Sequence, residues 1–272
     1  MLEIIKSVIF GIVEGVTEWL PISSTGHLLL LDQVLKLQVT DAFKDQFMVI
    51  IQLGAVLSVI VLFFHELNPF TSKKNGEGKK ATWMLWAKVV VATIPAGILG
   101  FLLDDFMDLY LNKWQIIVAA LFVYGLAYVL VEKKEDSLTP RIEDEMDLSF
   151  KDAFYIGCFQ ALAIIPGTSR SGSTILGGIL LGISRTAAAR FSFFMAIPVM
   201  FGASLLRLVK HGVSFSGNEG AILAVGTLVS FVVSLLVIRK LMDYVKSHSF
   251  AVFGWYRMGL SIVVTIVFLL FV

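Results

Sequence analysis

Two carboxylates stand four residues apart in an otherwise apolar stretch, Glu14 and Glu18 in VIFGIVEGVTEWLPISSTGHLLLL. On a helix that spacing puts both on one face. Like charges so placed repel, and ionised carboxylates in an apolar medium are costly. A shared proton, a cationic partner or a bound metal would relieve them. Mg²⁺ and Ca²⁺ are hard cations that take carboxylate oxygens, Mg²⁺ often alongside substrate phosphates. Glu14 and Glu18 are therefore candidate ligands of a divalent ion, Mg²⁺ or Ca²⁺. The competing account is a structural pair in a water-filled vestibule, because E-x-x-x-E is a common spacing.

The residues that follow add further chemistry. Pro21 ends the first helix, and Ser23, Ser24 and Thr25 are good N-cap types for the next one. A helix start presents free N–H groups and a positive dipole end, which suit an anion. His27 falls in that first turn, where a neutral imidazole could take a proton from a serine hydroxyl. A serine beside a base is the logic of an activated nucleophile. The plainer alternative is a serine cap and a histidine bonded to a carbonyl.

A second break, PGTSRSGST from Pro166 to Thr174, sets Arg170 among Ser169, Ser171, Ser173 and Thr174 at another helix start. A guanidinium presents a planar fork that matches phosphate. Buried in a membrane it needs an anion, either a ligand or Glu14 or Glu18. Two anion cradles and a carboxylate pair converging at depth suggest a phosphorylated lipid. Arg257, in GWYRMGL, is a further intramembrane candidate. Gln52 and Gln160 are readily accounted for as bonds between helices.

The elements that hold these residues must lie in a bilayer. Of the 272 residues 57% are hydrophobic and only 16% charged, against about 25% charged in soluble domains. Mean hydropathy is +0.84. The net charge of +1 offers no basic surface for nucleic acid, and a lone Cys158 excludes an internal disulfide. The N-terminus has acids within its apolar run and no small-residue cleavage pattern, so it does not read as a removed signal peptide. Spans of roughly 20 apolar residues are expected at 47–65, 84–103, 113–131, 186–209, 220–241 and 250–271. Residues 2–36 instead break at Leu20-Pro21 and again around Gly26, and residues 153–182 break at Pro166-Gly167. Both read as re-entrant hairpins.

The breaks resemble each other, GIVEGVTEWLPISSTGH from Gly11 and GCFQALAIIPGTSRSG from Gly157. The expectation is an all-α polytopic membrane protein, one domain over 1–272, built as an inverted-topology repeat. Residues 1–135 form the first repeat and 146–272 the second, each one hairpin plus three spans. Broken helices in such repeats meet near the midplane and build the binding site. Loops 66–83, 132–152 and 239–249 then share one face with the start of span 186–209. That face holds most of the Lys and Arg, including Lys79, Lys80, Lys133, Lys134, Arg185 and Arg190. The other face keeps Lys6, Lys36, Lys44, Lys113, Arg207 and Lys210. By the positive-inside rule the first face is cytoplasmic, so the first hairpin lies on the outer side. The loop 132–152 reads as a solvated connector without function.

At its two motifs the sequence resembles the undecaprenyl-diphosphate phosphatase family, the bacitracin-resistance proteins. That family carries E-x-x-x-E followed by a proline-serine-serine-threonine-glycine-histidine region, and P-G-x-S-R-S-x-x-T. Here they stand as EGVTEWLPISSTGH and PGTSRSGST, without departure, and Ile51–Gly54 (IQLG) also agrees. The resemblance covers the whole chain. It implies hydrolysis of a polyprenyl diphosphate, chiefly the C55 carrier, at a divalent-metal-dependent site on the outer side of the bacterial cytoplasmic membrane. The catalytic set is then Glu14, Glu18, Ser24, His27 and Arg170. The substrate-binding set is Ser23, Thr25, Gly167, Ser169, Ser171, Ser173, Thr174 and Arg257. Ser24 is the favoured nucleophile with His27 or a glutamate as base, and direct attack by an activated water stays open. A second copy of the chain is kept as a candidate partner.

Other classes compete. The phosphatidic-acid phosphatase motif S-R-x₅-H-x₃-D fails at Leu176 and Leu180, and a cysteine phosphatase C-x₅-R fails at Ile164 after Cys158. A transporter shares the inverted-repeat architecture, but a pure transporter releases no phosphate from a lipid diphosphate. The span count makes its own test. Single cysteines replacing Gly76 and Thr139 should label from the cytoplasm, and one replacing Leu109 from outside. Labelling of 76 and 139 from opposite faces would break the three-span count.

Overall fold

The computed structural model describes residues 1–111, 113–135, 139–211 and 217–271. Residues 136–138 of the connector, and the side chains of Arg207 and Lys210, lie outside the described residues. Among those described the chain is helical without strands, apart from one parallel bridge between Ile142 and Ile183.

Among the described residues six helices are long and apolar enough to cross a membrane, making this a multi-pass membrane protein. They are α3 (Asp41–Leu62), α5 (Gly76–Phe106), α6 (Trp114–Glu135), α9 (Arg185–His211), α10 (Gly217–Val245) and α11 (Ala251–Phe271). A short α4, Phe64–Leu67, follows α3. Each corresponds to an expected span, with shifted ends. The helix expected at 47–65 begins earlier because Thr40 caps it, its Oγ1 accepting the Phe43 N–H at 3.2 Å. Hydropathy excluded the polar DAFKDQ run that this cap folds into the helix.

Two helix pairs are too short to span. The first is α1 (Leu2–Thr17) and α2 (Ser24–Leu35). The second is α7 (Phe150–Ala161), a 3₁₀ turn at Leu162–Ile164, and α8 (Arg170–Leu180). At 1.5 Å per residue these helices reach about 16–24 Å, short of a hydrocarbon core of about 30 Å. The second break expected around Gly26 is absent. Gly26 lies inside the first turn of α2, where its N–H donates to Ser23 Oγ at 3.3 Å.

Packing crosses between the two halves of the chain. α1 lies along α10 and α7 along α5, while α6 pairs with α11 and α3 with α9 and α10. Small residues permit the close approaches, as is usual between membrane helices. A Cβ on Gly125 would sit 2.8 Å from the Gly254 carbonyl oxygen, and one on Gly254 would sit 2.6 Å from that of Gly125.

At one end of the bundle the charges are paired. Arg185 meets the buried Glu132 at 2.5 Å, and the other Glu132 oxygen accepts the Phe250 N–H at 3.0 Å. Arg190 holds both Glu66 and Glu145, Arg141 meets Asp152 at 2.7 Å, and Lys88 donates to the Met146 carbonyl at 2.7 Å. The ion pairs thus gather segments assigned to one face from the charge pattern. They also correct the reading of the connector as solvated. Ile142, Glu145 and Leu148 are buried, because these cations and the bridge to Ile183 draw residues 141–149 onto the bundle. Burial pushes the Glu145 carboxyl up, against the pull of Arg190.

One of the tightest of these approaches gives a paired prediction. A Cβ on Gly157 in α7 would lie 2.3 Å from the Ala92 carbonyl oxygen of α5, whereas one on Gly97 meets nothing within 4 Å. Gly157→Ala should cost about 1–3 kcal/mol through overpacking. Gly97→Ala should cost nothing and gain up to about 1 kcal/mol of helix propensity. Melting temperatures of both variants in one detergent check this, and equal values would refute the packing account.

Candidate active site

Proline stops the chain twice, and each time a serine restarts it. Ser23 caps α2 with φ 72° and Ser169 caps α8 with φ 73°. Each side-chain oxygen accepts the N–H three residues on, from Gly26 at 3.3 Å and from Gly172 at 3.0 Å. A left-handed backbone at a residue with a side chain costs on the order of 1–3 kcal/mol and persists only where its surroundings enforce it. Because the caps match, the first helical residues also match: Ser24 in α2 and Arg170 in α8.

Both first residues reach the same carboxylate. Ser24 Oγ donates to Glu18 Oε2 at 2.8 Å, and Arg170 Nη2 donates to Glu18 Oε1 at 3.1 Å. Arg170 Nη1 also donates to the Ser192 carbonyl of α9 at 2.8 Å, and its guanidinium lies 5.9 Å from the Trp19 ring centre. The ion-pair alternative left open for Arg170 is thus realised, with Glu18. Ser171 Oγ donates to the Glu18 carbonyl at 3.0 Å and approaches that of Leu20 at 3.3 Å, joining the second break to the first.

Glu14 sits one turn before Glu18, fully buried, and neither carboxylate oxygen has a hydrogen-bond partner among the described residues. Orphaned acceptors of this kind fit a hard cation. No group of three or more His, Cys, Asp or Glu side chains gathers among the described residues. Glu14 and Glu18 would then offer two carboxylates, the kind of partial set that Mg²⁺ completes with water and phosphate oxygens.

His27 faces away from Ser24. Its Nδ1 lies 2.8 Å from the Ser23 carbonyl, which can only accept, so Nδ1 carries the proton. Nε2 is then an acceptor, and it takes the Tyr256 hydroxyl at 2.7 Å, the two rings stacked 5.6 Å apart. The rim here is open: Thr25 and Tyr256 are exposed and Ser24 is half-buried.

Other expected ligands are held within the protein. Arg257 is fully buried and donates to the carbonyls of Pro21, Gly167 and Thr168. Thr174 bonds the Arg170 carbonyl at 2.9 Å and Ser192 Oγ at 2.6 Å, and Ser173 is fully buried. Gly167 has φ +91°, and a Cβ there would lie 2.5 Å from the Ile117 carbonyl oxygen. Tyr256, Ser192 and Trp19 were not anticipated. Tyr256 adjoins the flagged Arg257 in GWYRMGL, and Trp19 adjoins Glu18, but Ser192 contributes a backbone oxygen that leaves no mark in a sequence.

The bacitracin resistance protein BacA family model matches residues 7–263. An undecaprenyl-diphosphatase of Lactiplantibacillus plantarum is 54% identical over 97% of both chains. One of Enterococcus faecalis is 50% identical over 94% of both. Undecaprenyl-diphosphatase 1 of Clostridioides difficile is 52% identical over 99% of this chain and 98% of its own. With both broken helices, Glu18, Ser24 and Arg170 inside the matched range, the chain belongs to the bacitracin resistance protein BacA family.

Proposed function

We propose that the protein hydrolyses undecaprenyl diphosphate to undecaprenyl phosphate and inorganic phosphate. This recycles the lipid carrier for peptidoglycan and other envelope glycans and confers bacitracin resistance. The relatives' names support the reaction. The observation that carries it is the chain Ser24–Glu18–Arg170, a hydroxyl and a guanidinium from two helix starts on one buried carboxylate.

In this reading the lipid tail stays in the bilayer and the diphosphate enters over Thr25 and His27. Arg170 and the N–H groups of the two helix starts receive the terminal phosphate, Nη1 and Nη2 each keeping a second N–H for it. Ser24 Oγ attacks the terminal phosphorus and passes its proton to Glu18 Oε2. The bridging P–O bond breaks, and its electron pair leaves with the lipid monophosphate. Water then attacks the phosphorus of the phosphoserine and passes a proton to a phosphate oxygen; the P–Oγ bond breaks, Ser24 Oγ takes back its proton from Glu18, and inorganic phosphate departs. The geometry favours Glu18 over His27 as the base, because His27 Nε2 is occupied by Tyr256. Glu14 and Glu18 would hold the divalent ion, which when bound supplies positive charge to the phosphate oxygens. Phosphoryl transfer depends mostly on such positioning and neutralisation.

The architecture is read as the inverted repeat 1–135 and 146–272 with two re-entrant hairpins. In its favour, equivalent elements pack in exchanged fashion, α1 on α10 and α7 on α5, while the equivalent helices α3 and α9, and α6 and α11, pair with each other. The matching serine caps point the same way. The cationic loops favour placing the ion-paired end in the cytoplasm, with the site open to the cell exterior or periplasm.

The test is phosphate release from undecaprenyl diphosphate by purified protein in detergent. Glu18→Gln should lower turnover by about 10²–10⁴-fold, the range of a lost general base. Ser24→Ala should do the same and abolish any acid-stable phosphoprotein; a Ser24→Ala variant with ordinary turnover would establish direct attack by water instead. Arg170→Lys keeps the charge but loses the fork, so it should fold and turn over poorly. No release by the unsubstituted protein would overturn the phosphatase reading.

A further inference from the structure

Arg257 is the hub of the two breaks. Its guanidinium is fully buried in α11, and Nη1 donates to the Pro21 carbonyl of the first break at 3.1 Å. Nη2 donates to the Gly167 and Thr168 carbonyls of the second break at 2.9 and 2.8 Å. The Leu121 and Ala120 carbonyls of α6 lie at 3.5 Å from Nε and Nη2, and the Tyr124 ring centre at 5.6 Å. The Pro21, Gly167 and Thr168 carbonyls all belong to residues outside the helices, where a buried acceptor needs a donor. A planar, five-donor fork can satisfy acceptors on two chain segments at once, and an ammonium cannot.

We propose that Arg257 is a positioning residue, which sets the distance between the two helix starts and so brings Ser24 and Arg170 together on Glu18. It acts through backbone carbonyls rather than by touching substrate. The second tie is Ser171, whose hydroxyl reaches the Glu18 and Leu20 carbonyls from the other break. The proposal rests on the phosphatase reading. Its test begins with phosphate release by the unsubstituted protein, whose absence would sink that reading and leave this one without a reaction to govern.

With turnover established, kcat, KM for undecaprenyl diphosphate and melting temperature are measured for Arg257→Lys, Arg257→Gln and Ser171→Ala in one detergent. Misplacing reacting groups by an ångström costs about 10²-fold. Arg257→Lys and Arg257→Gln should therefore lose about that much kcat alike, with KM changed less than about threefold, the signature of an interaction that matters in the transition state. Ser171→Ala strands no charge, so it should fold like the unsubstituted protein and lose kcat in the same direction. A lysine variant as active as the original would show that charge suffices and overturn the proposal. So would a raised KM with intact kcat, which marks direct substrate contact, or a kcat that falls only in proportion to the folded fraction. If the Arg257 variants do not fold, Ser171→Ala decides, and unchanged kcat there overturns it.

Discussion

An ionised carboxylate inside a membrane protein has to be paired, and the pairing of Glu18 organises the rest. Its two oxygens take Ser24 from the first break and Arg170, 152 positions further along the chain, from the second. Desolvating both charges costs several kcal/mol each, offset only when geometry and additional hydrogen bonds are good. Good geometry here means that two helices stop short, that both restart in the same cap, and that the restarts face each other. Pro21, the left-handed Ser23 and Ser169, and the hydroxyl of Ser171 are all conditions of that one contact.

The same principle acts around the docked connector with a different outcome. There Arg185, Arg190, Arg141 and Lys88 are matched by Glu132, Glu66, Glu145, Asp152 and the Met146 carbonyl, so every one of these cations has a partner. Near the breaks the pairing is left incomplete. Glu14 has orphaned oxygens, and Arg257 bonds only neutral carbonyls.

Much of this was legible in the sequence, and the reasons differ by feature. Six spans follow from hydropathy because a bilayer demands unbroken apolar helix, and the breaks follow from Pro21 and Pro166-Gly167. The E-x-x-x-E and S-R-S spacings identified the residues that meet. Direction was not legible. His27 stands three positions after Ser24 in one helix start, which makes it a candidate base, yet its ring meets Tyr256, 229 positions away. Arg257 was expected on substrate, and the carbonyls that engage it belong to segments that spacing cannot bring together. The docked connector was hidden for the same reason: its charges look solvated until their partners on other segments are known.

The matched caps carry a consequence about symmetry. They place Ser24 and Arg170 at corresponding positions of two similar frames. Two identical copies of such a frame would oppose serine to serine or arginine to arginine. Either way the carboxylate would lack a cation or a hydroxyl donor. Division of labour between the frames therefore requires that they be encoded separately. Joining them in one polypeptide is what allows one helix start to keep a hydroxyl while its counterpart keeps the charge.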